Sequence, residues 1–231
     1  MPKMSEYFYE ASPVDTDLVL IVDVSDTTQS VNGSTNKVTL ENLASSDPWE
    51  TRYGRLLDDG YYYGPDHGAA TSTLAITKDT MYLIPMWLPS GYTITRLAMS
   101  VTGAGGVGSV IRMGVYEATS TGLPGALLVD GGTIDGTSAT VQEVTVSAAV
   151  NAAGWHYLAA VSQVGTLPTV TSMQPLAGVS FRASTATNAL SAIRAVPQVT
   201  SVTGALPDPC GTLLGTATTT GPLIVIKGTN A

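Results

Sequence analysis

The sequence predicts an all-β protein, in which a small N-terminal β-hairpin module is followed by an antiparallel β-sandwich. Short segments that alternate apolar and polar residues recur along the chain, and none of them shows a convincing helical period. Turns rich in Gly, Pro, Ser and Thr separate these segments. The composition agrees, because the 231 residues include 24 glycines and 13 prolines.

The first predicted module comprises residues 1–48. Leu18–Val24 reads as a strand, Asn32-Gly33 marks the tip of a hairpin turn, and Val38–Leu43 returns as the second strand before a hinge at Ser45–Pro48. A module of this size cannot bury a full core, so we expect it to be stable only when docked or oligomerised. The side chains predicted to dock it are Leu18, Leu20, Val22, Val38 and Leu40.

Residues 49–80 form a second zone, predicted to be a linker or transition segment. Its main feature is three consecutive tyrosines, Tyr61–Tyr63, after a turn at Asp58–Gly60. On a strand, consecutive side chains point to opposite faces, so the three cannot all serve one core. Tyrosine is also favoured at interfaces and on sugar-binding surfaces. A strand that is buried on both faces explains the three tyrosines equally well.

Residues 81–231 alternate more clearly and predict the sandwich. Met81–Leu88 contains Pro85, which cannot donate a ladder hydrogen bond, so this segment is predicted to be an edge strand or a bulge. In the segment that begins at Trp155, that side chain shares a face with Tyr157 and is predicted to lie in the core, whereas His156 points away. The remaining predicted strands are Thr93–Val101, Val110–Tyr116, Leu127–Val129, Gln142–Val146, Trp155–Gln163 and Leu223–Ile226.

Charge and polarity limit the classes of partner. Only 12% of the residues are charged, the net charge is −8, and the ten Lys and Arg form no basic run, which argues against nucleic-acid binding. Low charge suits a surface that is buried against copies of the chain or a partner, and a Thr-rich all-β composition explains it as well. Met1–Ala11 lacks the pattern of a secretion signal, and the longest apolar run, Leu18–Val22, is too short to insert into a membrane.

Three motifs suggest a cofactor, a metal or a nucleophile, and each has a simpler explanation. Gly103–Gly108 matches G-x-G-x-x-G, but the next segment alternates like a strand, so we interpret the glycines as a flexible hairpin tip and predict no cofactor. His67 and His156 lack the spacing of metal ligands, so no metal is predicted. Cys210 is interpreted as a loop thiol.

Carboxylates and aromatic residues supply the last candidates. A glycosidase needs two carboxylates about 5–10 Å apart in a cleft, but several of the Asp residues precede Gly in turns, where Asp is favoured for local reasons. We therefore predict no catalytic residue. Exposed aromatic side chains can stack on sugar rings. The acidic pairs considered were Asp15/Asp17, Asp23/Asp26, Asp58/Asp59, Asp130/Asp135 and Glu117/Glu143. The possible glycan or interface contacts are Tyr61, Tyr62, Tyr63, Trp87 and Trp49.

Two stretches resemble bacteriophage proteins. Residues 15–43, DTDLVLIVDVSDTTQSVNGSTNKVTLENL, resemble the short attachment module near the N-terminus of many phage fibre, spike and capsid-decoration proteins. The order Ile111–Tyr116, Gly122–Leu128, Gly154–Ala159 resembles a jelly-roll domain that recurs in phage tail and head appendage proteins. Together the resemblances cover roughly residues 12–45 and 80–170.

The resemblance implies a structural virion protein: a head fibre, a capsid-decoration protein or a short tail fibre. Such proteins are usually homotrimers that contact other virion proteins and, in some cases, host-surface glycans. The resemblance places the protein in the virion after synthesis in the host cytoplasm. Two alternatives stay open, a carbohydrate-binding module for host-surface glycans and a small glycan hydrolase.

Overall fold

The computed structural model describes residues 18–23 and 34–39 by their backbone and residues 59–65, 72–173, 196–214, 218 and 220–230 in full. The chain divides into two compact units, Met1–Arg52 and Tyr53–Ala231. Every regular secondary-structure element in the described ranges is a β-strand. This confirms the all-β prediction. The predicted Asn32-Gly33 tip and the segment 183–195, which we read as a helical turn or a loop, lie outside them.

The first unit contains an antiparallel pair, β1 (Leu18–Asp23) and β2 (Ser34–Thr39). The first strand agrees with the predicted Leu18–Val24, whereas the second begins at Ser34, four residues before the predicted Val38–Leu43. In the observed register Leu20 lies opposite Lys37, whereas Val38 lies opposite Val19. Val38 is therefore not directly opposite any of the three β1 residues that were predicted to dock, Leu18, Leu20 and Val22. Leu40, the fifth predicted docking residue, lies outside the described residues.

The second unit is an antiparallel β-sandwich, as predicted. Its described strands are β3 (Tyr62–Tyr63), β4 (Ser72–Ala75), β5 (Met81–Leu88), β6 (Tyr92–Gly103), β7 (Val110–Ala118), β8 (Pro124–Asp135), β9 (Val141–Ala149), β10 (Gly154–Gln163), β11 (Thr169–Met173), β12 (Gln198–Val199), β13 (Gly221–Pro222) and β14 (Ile224–Asn230). One sheet has the order β12-β5-β10-β7-β8. The other has the order β13-β11-β6-β14-β3, with β4 paired to β11 and β9 paired to β6.

Pro85 explains how β5 fits into the five-stranded sheet. Strand β12 pairs with Met81 and Tyr82 alone. Pro85 lies beyond that short pairing, where β5 has a partner strand, β10, on one side only within the described residues. A proline is tolerated there because no ladder hydrogen bond from its nitrogen is needed. The predicted edge strand is therefore wrong, because β5 lies between β12 and β10, although β12 pairs only with the first two residues of β5.

The main core lies between the two sheets. The side chains predicted to face inward from β6 and β7 are all buried in it, so the sequence alternation identified this core correctly. Each such side chain contributes roughly 1.5–3 kcal/mol when fully removed from water. Its larger members are Ile84, Leu88, Ile94, Leu97, Met99, Val101, Ile111, Met113, Val115, Leu158, Ile224 and Ile226.

A second core covers the outer face of the five-stranded sheet. Residues 199–214, which we call the covering segment, pack there through Val199, Val202 and Leu206. Strand β10 is therefore buried on both faces, with Tyr157 on the covered side and Leu158 in the main core. The sheet residues under the covering segment are Met81, Leu83, Tyr116, Tyr157, Ala159 and Val161.

Hydrogen bonds fix the covering segment to the sheet. The Gln163 amide nitrogen Nε2 donates to the carbonyl oxygens of Val202 and Gly204, at 2.9 and 2.7 Å. The Tyr116 hydroxyl donates to the Pro207 carbonyl oxygen at 2.8 Å. These bonds satisfy backbone carbonyls that have no strand partner, which is how an irregular segment can lie on an apolar face.

The glycine-rich motif crosses from one sheet to the other. Gly103 ends β6 in the seven-stranded sheet, and β7 begins at Val110 in the five-stranded sheet. The predicted hairpin tip is therefore wrong, although the prediction that a strand follows it is confirmed. A Cβ atom on Gly106 would lie 2.7 Å from Thr166 Oγ1, so close approach to the next loop explains this glycine.

Candidate functional site

The three consecutive tyrosines do not form one platform. Tyr61 is 65% exposed and Tyr62 is 43% exposed, whereas Tyr63 packs against the main core. Trp87, another predicted contact, is half-buried on β5. Trp49 lies outside the described residues. The predicted aromatic contacts are therefore divided between different parts of the sandwich.

Tyr62 takes part in a polar network on the outer face of the seven-stranded sheet. Its hydroxyl donates to Glu143 Oε2, and this bond is the main reason that the pKa of Tyr62 is raised. Arg96 Nε lies 3.5 Å from Glu143 Oε1, and Lys227 Nζ lies 5.4 Å from the centre of the Tyr62 ring. The ammonium group covers one ring face through a cation–π contact. The ring is thus engaged by neighbouring charges rather than open on both faces.

Trp155 is 39% exposed, so the prediction that it lies in the core is wrong. It does share the outer face of β10 with Tyr157, Ala159 and Val161, as the alternation indicated, and those three are buried under the covering segment. Trp155 stands at the start of the strand, outside that buried cluster. Alternation identifies the face of a side chain but not how far along the strand that face is covered.

A shallow depression of about 390 Å³ opens beside Trp155. It is bounded by the end of β7 and the turn after it, by the loop before β10, and by the first residues of β10. We call it the Trp155 depression. Its lining residues are Glu117, Ala118, Thr119, Ser120, Gly122, Ala152, Ala153, Gly154, Trp155 and His156.

The turn that forms one wall of the depression is fixed by several hydrogen bonds. The Thr119 nitrogen donates to the Leu123 carbonyl oxygen at 2.7 Å, and the Gly122 nitrogen donates to the Thr119 carbonyl oxygen at 2.8 Å. The buried Tyr157 hydroxyl donates to the Gly122 carbonyl oxygen, and burial raises the pKa of this tyrosine to about 12. Gly122 has a φ of +77°, a conformation that other residues rarely adopt. The wall is therefore well ordered by its own contacts.

His156 is the buried polar group of the depression, with 5% of its surface exposed. Its Nδ1 lies 3.0 Å from the Gly154 carbonyl oxygen. A carbonyl can only accept, so Nδ1 carries the proton and donates. Burial lowers the pKa of His156, and this effect exceeds the opposite effects of the Gly154 carbonyl and of Glu117.

The ring is therefore neutral at pH 7 and Nε2 is its acceptor nitrogen. Within the part of the chain that the structure describes, the contact with Gly154 is the ring's one hydrogen bond. Glu117 is exposed and lies directly opposite His156 in the pairing of β7 with β10. The residues that line the depression thus include an exposed indole and an exposed carboxylate, whereas the His156 side chain lies on the opposite face of β10 from Trp155.

Asp130 has a structural role in the fold. The sequence suggested only that this residue favours a turn. Arg112 Nη1 donates to both of its carboxylate oxygens at 2.8 Å, and the backbone nitrogens of Gly132 and Leu206 donate at 2.9 and 3.0 Å. Burial raises the pKa of Asp130, but these donors outweigh it and hold the pKa below its usual value. The bond to Leu206 ties the covering segment to β8.

The other chemically notable groups are also engaged locally. Asp135 accepts from Thr137 and Ser138 in its own turn, which lowers its pKa. Asp59 accepts from the Asn230 nitrogen at 2.7 Å. Cys210 is a half-buried loop thiol, as predicted, and burial raises its pKa to about 11. A thiol with a raised pKa is a poor nucleophile at pH 7.

Two further observations concern metals and membranes. Among the residues with described positions, no three His, Cys, Asp or Glu side chains converge in a way that suits a metal ion. His67 lies outside the described residues. The described part of the chain has no helix whose length and apolar character suffice to cross a membrane.

Comparisons with known proteins give no family for the chain: no family model, no curated protein and no solved structure matches it. The argument for function therefore depends on the chain's own residues. Sequence reasoning missed the Trp155 depression because its walls come from three separate segments. The one sequence signal was Gly154-Trp155-His156, a turn glycine followed by two ring side chains.

Proposed function

We propose that this chain is a structural protein of a bacteriophage virion, an exterior appendage or capsid-decoration protein without catalytic activity. The N-terminal module, residues 1–48, docks onto other virion proteins. The jelly-roll-like sandwich faces outward and takes part in host-surface attachment. The protein acts as a homotrimer and neither inserts into membranes nor binds nucleic acid.

The observation that carries this proposal is the division of the chain into two very unequal units. The unit Met1–Arg52 contains a two-stranded antiparallel sheet, β1 with β2, and the unit Tyr53–Ala231 contains a complete sandwich with two cores. An isolated two-stranded sheet is marginally stable in water. A small unit of this kind is well suited to fold fully against a partner, as an attachment module does.

Composition and sequence resemblance support the same proposal. Charged residues make up 12% of the chain, about half the usual share, and such a surface is less costly to bury against neighbouring subunits. Residues 15–43 resemble phage attachment modules, and segments of β7, β8 and β10 resemble a phage appendage domain. Several copies on one particle would strengthen weak individual contacts through avidity.

Glycan recognition is the second candidate function, and the Trp155 depression is the specific observation that favours it. An exposed indole beside hydrogen-bonding side chains is a common arrangement for sugar recognition. The two candidates are compatible, because an outward-facing appendage domain can carry a sugar site. A glycan hydrolase is not supported in the same way, because Glu117 is the one carboxylate among the described residues that line this depression.

The mass of the purified protein in solution tests the proposal. We expect light scattering to give about three times the 23.8 kDa chain mass for the full-length protein. We expect a chain without residues 1–48 to keep the sandwich's near-UV circular dichroism. A monomer in both forms would contradict the appendage proposal.

Full-length Leu20→Asp serves as the matched variant, because it changes β1 and leaves the sandwich sequence intact. If the N-terminal module docks through β1, this variant should keep its fold and lose incorporation into particles. Incorporation at the wild-type level would contradict docking through β1.

A further inference from the structure

We propose that the Trp155 depression binds one uncharged sugar unit of a glycan. Trp155 supplies the surface on which the sugar ring stacks, and Glu117 accepts hydrogen bonds from its hydroxyl groups. This inference adds a ligand class to the attachment role proposed above. It rests on that role only for the statement that the glycan belongs to a host surface.

The first argument is the exposed indole. Trp155 lies directly opposite Trp87 in the pairing of β10 with β5, and Trp87 is half-buried. Directly opposite residues on one face have Cβ atoms about 4.5–5.5 Å apart. The two indoles therefore start from neighbouring positions on one face, and more than a third of Trp155 remains in contact with solvent. An exposed indole offers a ring face on which a sugar can stack.

The second argument is the neighbouring carboxylate. Glu117 is exposed and lines the depression. An ionised carboxylate can only accept hydrogen bonds. Hydroxyl donors are the chemistry that sugars supply in abundance.

The third argument is the polarity and charge of the lining. Thr119 and Ser120 add hydroxyl groups, and among the described residues the lining contains one carboxylate, Glu117, and no Lys or Arg. A phosphate or an acidic sugar would face this carboxylate and a protein of net charge −8 without a cation to pair with. The site therefore favours neutral sugars over acidic ones. Its volume of about 390 Å³ falls within the range of about 300–1,000 Å³ of small-ligand clefts.

The test is a titration of the ¹⁵N-labelled full-length chain with defined oligosaccharides. The neutral probes are maltotriose, cellotriose, chitotriose and lactose, and the acidic probe is sialyllactose. The chain has three tryptophans, so three indole N–H resonances report on binding. Trp49→Phe and Trp87→Phe variants assign them. We expect at least one neutral probe to shift the Trp155 resonance saturably, and sialyllactose to bind less tightly than lactose.

Three variants locate the site. Trp155→Ala should weaken binding at least about tenfold, because the stacking surface is removed. Glu117→Gln should weaken it several-fold while the exposed side chain keeps its size. Val107→Ala is the matched control, because Val107 is an exposed apolar residue that does not line the depression, and it should leave binding unchanged. The dispersion of the amide spectrum confirms that each variant is folded.

Several results would overturn the proposal. They are the absence of any saturable shift with the four neutral probes, binding that survives Trp155→Ala in a folded protein, loss of binding in Val107→Ala, or tighter binding of the acidic probe. The measurement uses the isolated protein, so it separates the two proposals. If the protein is a trimer that binds no sugar, only the proposed sugar site is contradicted. If it is a monomer that binds sugar through Trp155, only the proposed appendage function is contradicted.

Discussion

The outer faces of the two sheets arise from the same alternation of side chains along the strands. One face is covered by another segment of the chain, whereas the other carries polar side chains that are partly exposed to solvent. On the five-stranded sheet most outer side chains are apolar, and the covering segment, residues 199–214, buries them in a second core. On the seven-stranded sheet the outer face carries Tyr62, Arg96, Glu143 and Lys227, which remain partly exposed and interact with one another. One face is thus stabilised by apolar burial and the other by surface polar contacts.

This difference shows where the stability of the sandwich is concentrated. Burial of apolar groups contributes several kcal/mol at a single position, whereas exposed ion pairs contribute about 0–1 kcal/mol. The covered face should therefore respond strongly to substitution and the polar face weakly. The Trp155 depression lies at the border of the covered face, where Trp155 stands outside the second core.

The largest effect is expected from Leu206→Ala in the covering segment. Leu206 is 4% exposed and belongs to the second core, so its truncation should lower the free energy of unfolding by about 2–5 kcal/mol. Urea denaturation followed by fluorescence measures this. Val141→Ala, at an exposed position on β9, is the control and should stay within about 0.5 kcal/mol of the wild type. Equal effects of the two variants would contradict the comparison.

Gly114→Ala tests how closely the covering segment approaches the sheet. A Cβ atom at this position of β7 would lie 2.3 Å from Leu206 Cδ1 and 2.6 Å from the Val129 carbonyl oxygen. Because the second atom belongs to the backbone, we expect a destabilisation of about 1–3 kcal/mol, measured by thermal unfolding. Gly204→Ala places a Cβ atom in open space and should be nearly neutral. A neutral Gly114→Ala would mean that the segment does not lie on β7.

Asp130→Asn tests the polar anchor of the covering segment. Loss of the charge weakens the bonds from Arg112 and Leu206, so we expect a loss of about 1–3 kcal/mol at pH 7, measured by urea denaturation. Asp135→Asn is the control, because that carboxylate accepts only within its own exposed turn. A smaller loss for Asp130→Asn than for Asp135→Asn would contradict the anchor role.

The pH dependence of the same variant has a definite sign. The folded-state pKa of Asp130 is depressed, so its contribution is complete above the unfolded value of about 3.9 and disappears as the pH falls through the folded value. The stability difference between wild type and Asp130→Asn should therefore be constant near neutral pH and narrow below about pH 4. If the stability difference between the wild type and Asp130→Asn grows as the pH falls, the lowered pKa of Asp130 is contradicted.

Tyr62→Phe should have the smallest effect of the series. The hydroxyl bond to Glu143 lies on the exposed face of the seven-stranded sheet, and the Phe ring still lies near Lys227. We expect a change below about 1 kcal/mol in the free energy of unfolding. A loss as large as that of Leu206→Ala would mean that the polar face contributes as much as the covered one.

Much of the fold could be predicted because strand alternation reports local geometry. Met113 and Leu97 alternate with more polar neighbours, and both lie in the main core. Pro85 predicted an edge strand, and this is wrong for β5 as a whole, although Pro85 itself lies beyond the short pairing with β12. The Gly103–Gly108 motif was harder, because a glycine-rich connection looks the same whether it turns within one sheet or crosses to another.

The candidate site could not be predicted in the same way. Trp155 and Tyr157 occupy equivalent positions in the alternation, yet one is exposed and the other is buried. The difference arises from residues 199–214, more than forty positions later in the chain. The pairing of His156 with Glu117 likewise depends on the register between β10 and β7, which neither strand's sequence specifies alone.

The sequence by itself determined the all-β class, the positions of most strands and the residues of the main core, because these depend on the period-two pattern of each strand. Only the tertiary structure decided that the covering segment closes the outer face of one sheet, that it leaves Trp155 exposed, and that Glu117 lines the same depression. The physical reason is that burial and hydrogen bonding depend on contacts between segments far apart in the chain, whereas alternation records only neighbours along one strand.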